Sequence, residues 1–232
     1  MSSLSKALSI CWQIWNDKNA SIFKNEKPFH YRSFTRIMNM VNDYFKENSG
    51  HAEKADEVAE DNLIKWQCPM SPYFKINFDG SVANFVAAGG FVGRSWENKP
   101  ILVEAMNLGS MTINVVEALA LREALIWARI KNLNYVIVEG DSKLVIDAVC
   151  SACDVPWNLR SIIEDIRWCA TFFHDIKWRH IFREANFVAD AITFVGLKRK
   201  ELCIWDACIP IEANMAFLFD CNGTGCVRGS SL

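Results

Sequence analysis

The sequence predicts an α/β fold in which a mixed β-sheet is flanked by helices. Three apolar runs joined by short polar turns lie between residues 73 and 107, and helix-like and strand-like segments then alternate up to residue 198. Short turns favour antiparallel neighbours, whereas a helix between two strands allows a parallel crossover. The two patterns together predict one sheet that contains both kinds of pairing.

Strands are predicted where β-branched and aromatic residues cluster between turn residues. In chain order the predicted strands are 73–78, 87–94, 101–107, 135–138 and 176–182. Helices are predicted where apolar residues recur every three or four positions. The predicted helices are 114–130, 142–149, 159–172 and 186–198. These elements place one α/β domain in residues 66–200.

The two flanks of this domain have different compositions. Residues 1–47 carry apolar residues at helical spacing and predict an N-terminal helical extension, and residues 48–65 are polar and acidic, as in a linker. Residues 201–232 have few periodic cues and a glycine-rich end, so we expect an ordered C-terminal extension that frays.

The bulk composition indicates a globular, water-soluble protein. The chain has 232 residues, of which 51% are hydrophobic and 22% charged, and it contains no apolar stretch of the ~18 residues that a membrane helix needs. Its beginning lacks the apolar core of a secretory signal. Nine cysteines, an odd number, favour reduced thiols. We therefore expect an intracellular protein, nuclear or cytoplasmic, with no membrane partner and no implied oligomer.

Two cysteine pairs near the C-terminus allow a different interpretation. Cys203 and Cys208 are separated by the same interval as Cys221 and Cys226. Four thiolates can bind zinc, although structural zinc sites more often use closer pairs. A zinc site is therefore the weaker alternative.

The charge distribution is modest for a protein that binds nucleic acid. Residues 66–200 carry 15 Lys and Arg against 14 Asp and Glu, and residues 201–232 carry 1 against 4. Proteins with many phosphate contacts usually show a basic stripe. Here the basic residues near the candidate site are Arg179 and Arg183, with three more at 198–200. Any binding by this domain alone should be weak and sensitive to salt.

Four acidic residues lie in distinctive local sequences. Asp79 ends the apolar run of residues 75–79, Glu117 opens an apolar helix, Asp141 follows the strand 135–138, and Asp190 lies in the segment Arg-Glu-Ala-Asn-Phe-Val-Ala-Asp. A carboxylate at the end of a buried strand must be paired or bound to a metal. Because converging carboxylates repel one another, the arrangement predicts divalent cations among them.

The order of these segments and their amino-acid sequences resemble the type 1 ribonuclease H domain, in the divergent form found in plant non-LTR retrotransposon polyproteins. The resemblance covers roughly residues 66–200. It implies a ribonuclease H-like fold, a five-stranded mixed sheet flanked by helices, in which the first and fourth strands are adjacent. That adjacency would place Asp79 beside Asp141.

The resemblance also implies a site and an activity. Asp79, Glu117, Asp141 and Asp190 match the four metal-binding carboxylates of the family, and His180 matches its loop histidine. The implied reaction is hydrolysis of the RNA strand of an RNA/DNA hybrid with two Mg²⁺ ions, Mn²⁺ being an alternative. The hypothesis is that Asp79 bridges both ions.

The resemblance also implies a role for each of the other residues of the site. Glu117 and Asp141 would flank one metal ion, Asp190 would support the other, and His180 would transfer a proton near the leaving group. The candidates for contacts with sugar edges and 2′-hydroxyl groups are Ser81, Asn114 and Asn186.

Each of these residues also has an interpretation without chemistry. Asp79 precedes a glycine, as in hairpin turns. Glu117 could be a first-turn acid that favours the helix dipole, and Asp141 could cap a helix. Asp190 could lie on a solvated helix face, and His180 could simply be packed.

One departure from the family bears on function. Bacterial members carry a basic helical protrusion after the third carboxylate, whereas residues 149–158 here are few and contain no Lys or Arg. An alternative function is therefore a domesticated, catalytically weak module that binds nucleic acid or another partner. Another nuclease or transposase of the same superfamily is a third hypothesis, which the spacing of His180, Asn186 and Asp190 disfavours.

Overall fold

The computed structural model describes residues 63–229, which belong to a compact unit spanning Asp61–Leu232. The predicted helical extension 1–47 and most of the linker 48–65 lie outside the described residues. The division of the chain at these boundaries stays a prediction.

Six strands form one mixed sheet. They are β1 Phe74–Ala83, β2 Val86–Arg94, β3 Pro100–Gly109, β4 Tyr135–Gly140, β5 Asp175–His180 and β6 Cys203–Asp206. Their order across the sheet is β5-β4-β1-β2-β3-β6, with β4 parallel to both β1 and β5 and the other pairs antiparallel. The predicted fold class and the adjacency of the first and fourth strands are confirmed, and β6 is an additional strand.

Five helices cover the two faces of the sheet. They are α1 Ile113–Ile130, α2 Lys143–Val149, α3 Arg160–Ala170, α4 Phe187–Lys198 and α5 Asn214–Cys221. One apolar core joins α1, α2 and α3 to the sheet, and a second core joins α4 and α5 to its other face. Within residues 63–229, no helix is long and apolar enough to cross a membrane.

Small residues let the helices approach the sheet closely. The buried side of α1 carries Ala118, Ala120, Ala124 and Ala128, which bring the helix backbone near the strands. On the sheet, a Cβ atom at Gly140 would lie 2.4 Å from the ring of Phe78. A larger side chain there would displace the strand that leads to Asp141.

The first hairpin extends further than the sequence predicted. β1 continues to Ala83, and the chain reverses at Asn84 and Phe85, whose φ angles of +50° and +64° suit a two-residue hairpin loop. Asp79 pairs with Gly90 in the middle of this hairpin. The prediction that Asp79 ends its strand is therefore wrong, and so is the alternative that it forms a hairpin turn.

The C-terminal extension is integrated into the sheet. β6 pairs with β3 as the outermost strand, and Asp220 of α5 forms a buried ion pair with Arg94, with 2.6 Å between oxygen and nitrogen. Ile64 and Cys226 form an isolated antiparallel bridge. A four-residue strand is too short to produce a periodic signal, so local sequence patterns do not indicate these contacts.

Candidate functional site

Asp79 lies at the centre of the candidate site. Alternate residues of a strand share one face, so Lys75, Asn77 and Asp79 all point toward the α4 side of β1. β1 and β4 are parallel, with Asn77 opposite Glu139. Asp141 follows Glu139 by two residues and therefore lies beside Asp79, which is only 6% exposed.

Glu117 approaches Asp79 from the opposite face of the sheet. It lies in the second turn of α1, so the alternative of a first-turn acid is wrong. A Cβ atom at Gly80 would lie 2.9 Å from the Glu117 Cγ, and only glycine therefore allows this approach. The Ser142 hydroxyl donates a hydrogen bond to Glu117 Oε2 at 2.5 Å. Glu117 is thus held against the end of β4.

Asp141 is the residue just before a helix cap. The N-cap of α2 is Ser142, whose backbone is extended, so the alternative in which Asp141 caps this helix is wrong. The Asn186 amide donates to Asp141 Oδ1 at 3.3 Å and to the Phe78 carbonyl at 3.0 Å. His180 Nε2 lies 3.2 Å from the Asp141 carbonyl oxygen. Two candidate site residues therefore contact Asp141 directly.

Asp190 occupies the first turn of α4 and is paired with an arginine. Arg183 Nη2 donates to both oxygens of Asp190, at 3.0 and 3.1 Å. The Asp190 side chain is partly exposed and, together with Ser81, lines a cleft beside the carboxylates. Asn114 is half-buried in the first turn of α1, one helical turn before Glu117.

Electrostatic interactions link Asp79 to the other three carboxylates. The pKa of Asp79 is raised well above its usual value, first by burial and then by the charges of Asp141, Asp190 and Glu117. Burial raises the pKa of Asp141, and it raises the pKa of Glu117 to about 7 even though Ser142 stabilises the ionised form. The negative charges around Asp79 therefore make its own ionisation less favourable.

The donor chemistry of this site fits a divalent cation. Mg²⁺ binds carboxylate oxygens, and a cation would offset the mutual repulsion. The present side-chain positions are less favourable: among residues 63–229, no three Asp, Glu, His or Cys side chains surround a common point that would suit a metal. Two of the carboxylates are instead engaged by Arg183 and Ser142.

The four C-terminal cysteines are the residues of the alternative zinc site. Cys203, Cys208, Cys221 and Cys226 are all within the described residues, and they form no metal-binding group there. The zinc alternative is therefore not supported.

Two partners of the carboxylates were missed from the sequence. Ser142 follows Asp141 in the Gly-Asp-Ser segment, and a hydroxyl next to a buried acid is a signal that could have identified it. The sequence predicts a basic residue near the site at Arg183, but the pairing of Arg183 with Asp190 depends on the short helical turn Arg183–Ala185. The spacing of seven residues gives no such indication.

Comparison with known proteins identifies the family. The family model described as reverse transcriptase-like matches residues 77–193, just over half of the chain. The chain belongs to the reverse transcriptase-like family. The matched segment of this reverse transcriptase-like protein begins at Asn77 and ends at Thr193, so it includes all four carboxylates.

Solved structures share the fold of this reverse transcriptase-like domain. RNase H1 from the halophilic archaeon Halobacterium salinarum is 29% identical, with a TM-score of 0.52, over 54% of this chain and 98% of that one. The N-terminal RNase H domain of a Mycobacterium tuberculosis protein is 22% identical, with a TM-score of 0.52, over 54% and 98%. Together with the family match, these structures identify an RNase H-like domain.

A third structure was solved with nucleic acid. LC11-RNase H1 in complex with an RNA/DNA hybrid is 22% identical, with a TM-score of 0.51, over 54% of this chain and 96% of that one. At this identity the likeness indicates a shared fold. No curated protein matches the sequence of this chain significantly.

Proposed function

We propose that this protein is a metal-dependent endonuclease that hydrolyses the RNA strand of RNA/DNA hybrids. The observation that carries the proposal is the convergence of Asp79, Glu117, Asp141 and Asp190 at one place on an RNase H-like sheet. The similarity to the archaeal RNase H1 and the hybrid bound to LC11-RNase H1 support the choice of substrate.

The carboxylates are proposed to hold two Mg²⁺ ions, or Mn²⁺ in their place. Asp79 would contact both, Glu117 and Asp141 would hold one, and Asp190 would hold the other. Such ions, when bound, activate water and stabilise the charge that develops during phosphodiester hydrolysis. The products would carry 5′-phosphate and 3′-hydroxyl ends.

The other residues of the site orient these groups. Asn186 ties Asp141 to the backbone of β1, and Ser142 holds Glu117 close to β4. His180 is exposed and adjacent to Asp141, a position from which an imidazole can move a proton to the leaving oxygen. Ser81 and Asn114 are proposed to contact the sugars of the substrate, so that cleavage needs no particular base sequence. Asn186 is only 2% exposed and is bonded to Asp141 and Phe78, so the substrate contact predicted for it from the sequence is not supported.

A cleavage assay with a labelled RNA/DNA hybrid tests this proposal. The full chain should cut the RNA strand with Mg²⁺ and not with EDTA. Asp79→Asn should lower the rate about a thousandfold or more, because several kcal/mol of transition-state stabilisation depend on the bound ions. Asp165→Asn, which changes an exposed acid on α3, is the matched control and should cut at the wild-type rate. Equal activity of the two variants would contradict the proposal.

One observation favours the second candidate, a module that binds nucleic acid and cuts it poorly. Arg183 occupies both oxygens of Asp190, so a metal ion must displace a guanidinium to use this ligand. Binding of the hybrid without cleavage in Mg²⁺ or Mn²⁺, by the wild type as well as by Asp79→Asn, is the result that this candidate predicts.

The origin and the cellular location of the protein are part of the same proposal. The segments around the four carboxylates resemble those of plant non-LTR retrotransposon polyproteins, and we propose descent from such an element. An intracellular location, nuclear or cytoplasmic, follows from the proposed substrate.

A further inference from the structure

A cleft of about 590 Å³ opens between the domain core and the C-terminal extension. The core contributes Arg183, Asp190 and Phe194 to its walls, and the extension contributes Met215 and Gly229. Because Asp190 belongs both to this wall and to the carboxylate site, the cleft and the site are continuous. A polymer bound across the carboxylates would therefore extend into the cleft.

The extension is held in place at several points. β6 pairs with β3, and the ion pair between Asp220 and Arg94 is almost fully buried. Close to the cleft, the Gly229 backbone N–H donates a hydrogen bond to the Glu184 side chain. Fixed contacts of this kind give the cleft a defined wall.

The extension brings its single basic residue to the site. Among residues 201–232, Arg228 is the one Lys or Arg, against four Asp and Glu. Its guanidinium lies 4.7 Å from the centre of the Phe182 ring. Phe182 precedes Arg183 and Arg228 precedes Gly229, and both Arg183 and Gly229 line the cleft. The Arg228 guanidinium therefore lies next to residues of the cleft wall.

The acidic groups of the cleft are engaged by the protein itself. Asp190 is paired with Arg183, and Glu212 is paired with Arg199 at 3.3 Å. Lys198 adds a further positive charge, 4.0 Å from the centre of an aromatic ring that lines the cleft. Glu184, the third acid of the cleft wall, accepts the hydrogen bond from Gly229 and lies near the positive charges of Arg228 and Arg183. Because each carboxylate of the wall has a positively charged side chain near it, the cleft remains suited to an anionic ligand.

We propose that this cleft binds the sugar–phosphate backbone of the nucleic-acid strand next to the carboxylates, with Arg183 and Arg228 contacting phosphates. The inference rests on the proposed function, because it assigns the same substrate to the cleft. Guanidinium groups bind phosphate oxygens with two parallel hydrogen bonds. The rings and the methionine of the walls suit the apolar faces of sugars and bases.

The test is the binding of a fluorescein-labelled RNA/DNA hybrid by the full chain, followed by anisotropy in EDTA at several salt concentrations. Arg228→Gln removes the proposed phosphate contact. Arg129→Gln is the matched control, because that guanidinium also lies over a phenylalanine ring, 3.6 Å from its centre. Arg129 lies 12 residues beyond Glu117 in α1, about 18 Å from the site.

Loss of one phosphate contact should weaken binding roughly fivefold to tenfold at 0.1 M salt. It should also reduce the slope of log affinity against log salt by about 0.7–0.9. Arg129→Gln should bind like the wild type. Melting temperatures of both variants show whether the fold is intact.

Several outcomes would overturn the inference. Equal binding of the hybrid by Arg228→Gln and Arg129→Gln would do so. The inference would also fail if Arg228→Gln weakened the binding of labelled polyglutamate, an anionic polymer without phosphates, and left the binding of the hybrid unchanged. Cleavage of the hybrid by the wild type in Mg²⁺, measured in parallel, separates the two proposals. If the hybrid is cut while Arg228→Gln binds normally, the cleft assignment fails and the proposed function stands; if the wild type neither binds nor cuts, both fail.

Discussion

The polar face of β1 has two ends, and they differ in whether the buried charges are paired with opposite charges. At one end, Lys75 pairs with Glu139 at 2.7 Å and Arg94 pairs with Asp220 at 2.6 Å, and all four side chains are 5% exposed or less. At the other end, four residues along the strand from Lys75, Asp79 faces further carboxylates. Both ends have similar burial but different neighbours.

The paired end is organised as a network around Asn77. Its side-chain oxygen accepts hydrogen bonds from the Trp66 indole at 3.0 Å and from Arg94 at 2.9 Å. The Arg94 guanidinium also lies 3.6 Å from the centre of the Trp66 ring. These contacts offset the loss of hydration and link the sheet to the C-terminal extension.

The acidic end is unfavourable to the fold when it stands alone. Burial raises the pKa of Asp79, and the neighbouring acids raise it further. Such groups reduce stability at neutral pH unless a cation joins them. One end of β1 thus has its counterions within the protein, whereas the other end is proposed to take cations from solution.

The largest expected effect comes from breaking the paired end. Arg94→Ala leaves Asp220 buried without its counterion, which should lower the free energy of unfolding by about 3–5 kcal/mol. Urea denaturation of the full chain at neutral pH measures the change. The control is Lys99→Ala, which removes an exposed ion pair with Glu97 and should change stability by about 0–1 kcal/mol. A loss no larger than that of the control would contradict the role given to the network.

Replacing both partners sharpens the same comparison. Arg94→Met combined with Asp220→Leu fills the site with apolar groups and leaves no buried charge unpaired. Such a double variant should be more stable than Arg94→Ala.

Removing a charge at the acidic end should raise stability, whereas removing one at the paired end should lower it. In EDTA, Asp79→Asn removes one of several like charges and should raise the free energy of unfolding by about 0.5–2 kcal/mol. Mg²⁺ should then stabilise the wild type more than the variant, because a ligand that binds only the folded state stabilises it. Thermal melts with EDTA and with Mg²⁺ measure both effects.

Asp165→Asn provides the reference for these melts, because Asp165 is exposed and faces Arg122 at 3.5 Å. Its stability should change little in either buffer. If Asp79→Asn is less stable than the wild type in EDTA, or if Mg²⁺ stabilises both proteins equally, the acidic end does not hold cations as proposed.

These two ends also differ in how far the sequence predicted them. The strands β1 and β4 and the acids Asp79 and Asp141 were found because apolar periodicity and local motifs mark them. Lys75 and Arg94 gave no such signal, since a charged residue in a strand usually indicates exposure, and their burial depends on Asp220, 126 residues after Arg94 in the chain. Partners this distant in sequence are set by tertiary packing, which local patterns do not contain.

A third buried acid separates the effect of burial from that of neighbouring charge. Glu104 on β3 is 2% exposed, and its pKa is raised to about 7, mainly by burial, while a hydrogen bond from Trp127 opposes the shift. Its pKa in the unfolded chain is near the usual 4.5, so the folded state binds more protons between these two values. The stability that Glu104 contributes is therefore present below pH 4.5 and is lost as the pH rises to about 7.

Glu104→Gln tests this pH dependence, because the amide keeps the shape of the protonated acid and does not ionise. The variant should be about as stable as the wild type at pH 5 and more stable at pH 8, with the difference levelling off above pH 7. Glu97→Gln, on an exposed acid that pairs with Lys99, is the control and should show no such rise. A difference between Glu104→Gln and the wild type that is constant from pH 5 to pH 8 would mean that Glu104 is ionised throughout. The unfavourable energy at Asp79 would then come from the neighbouring carboxylates more than from burial.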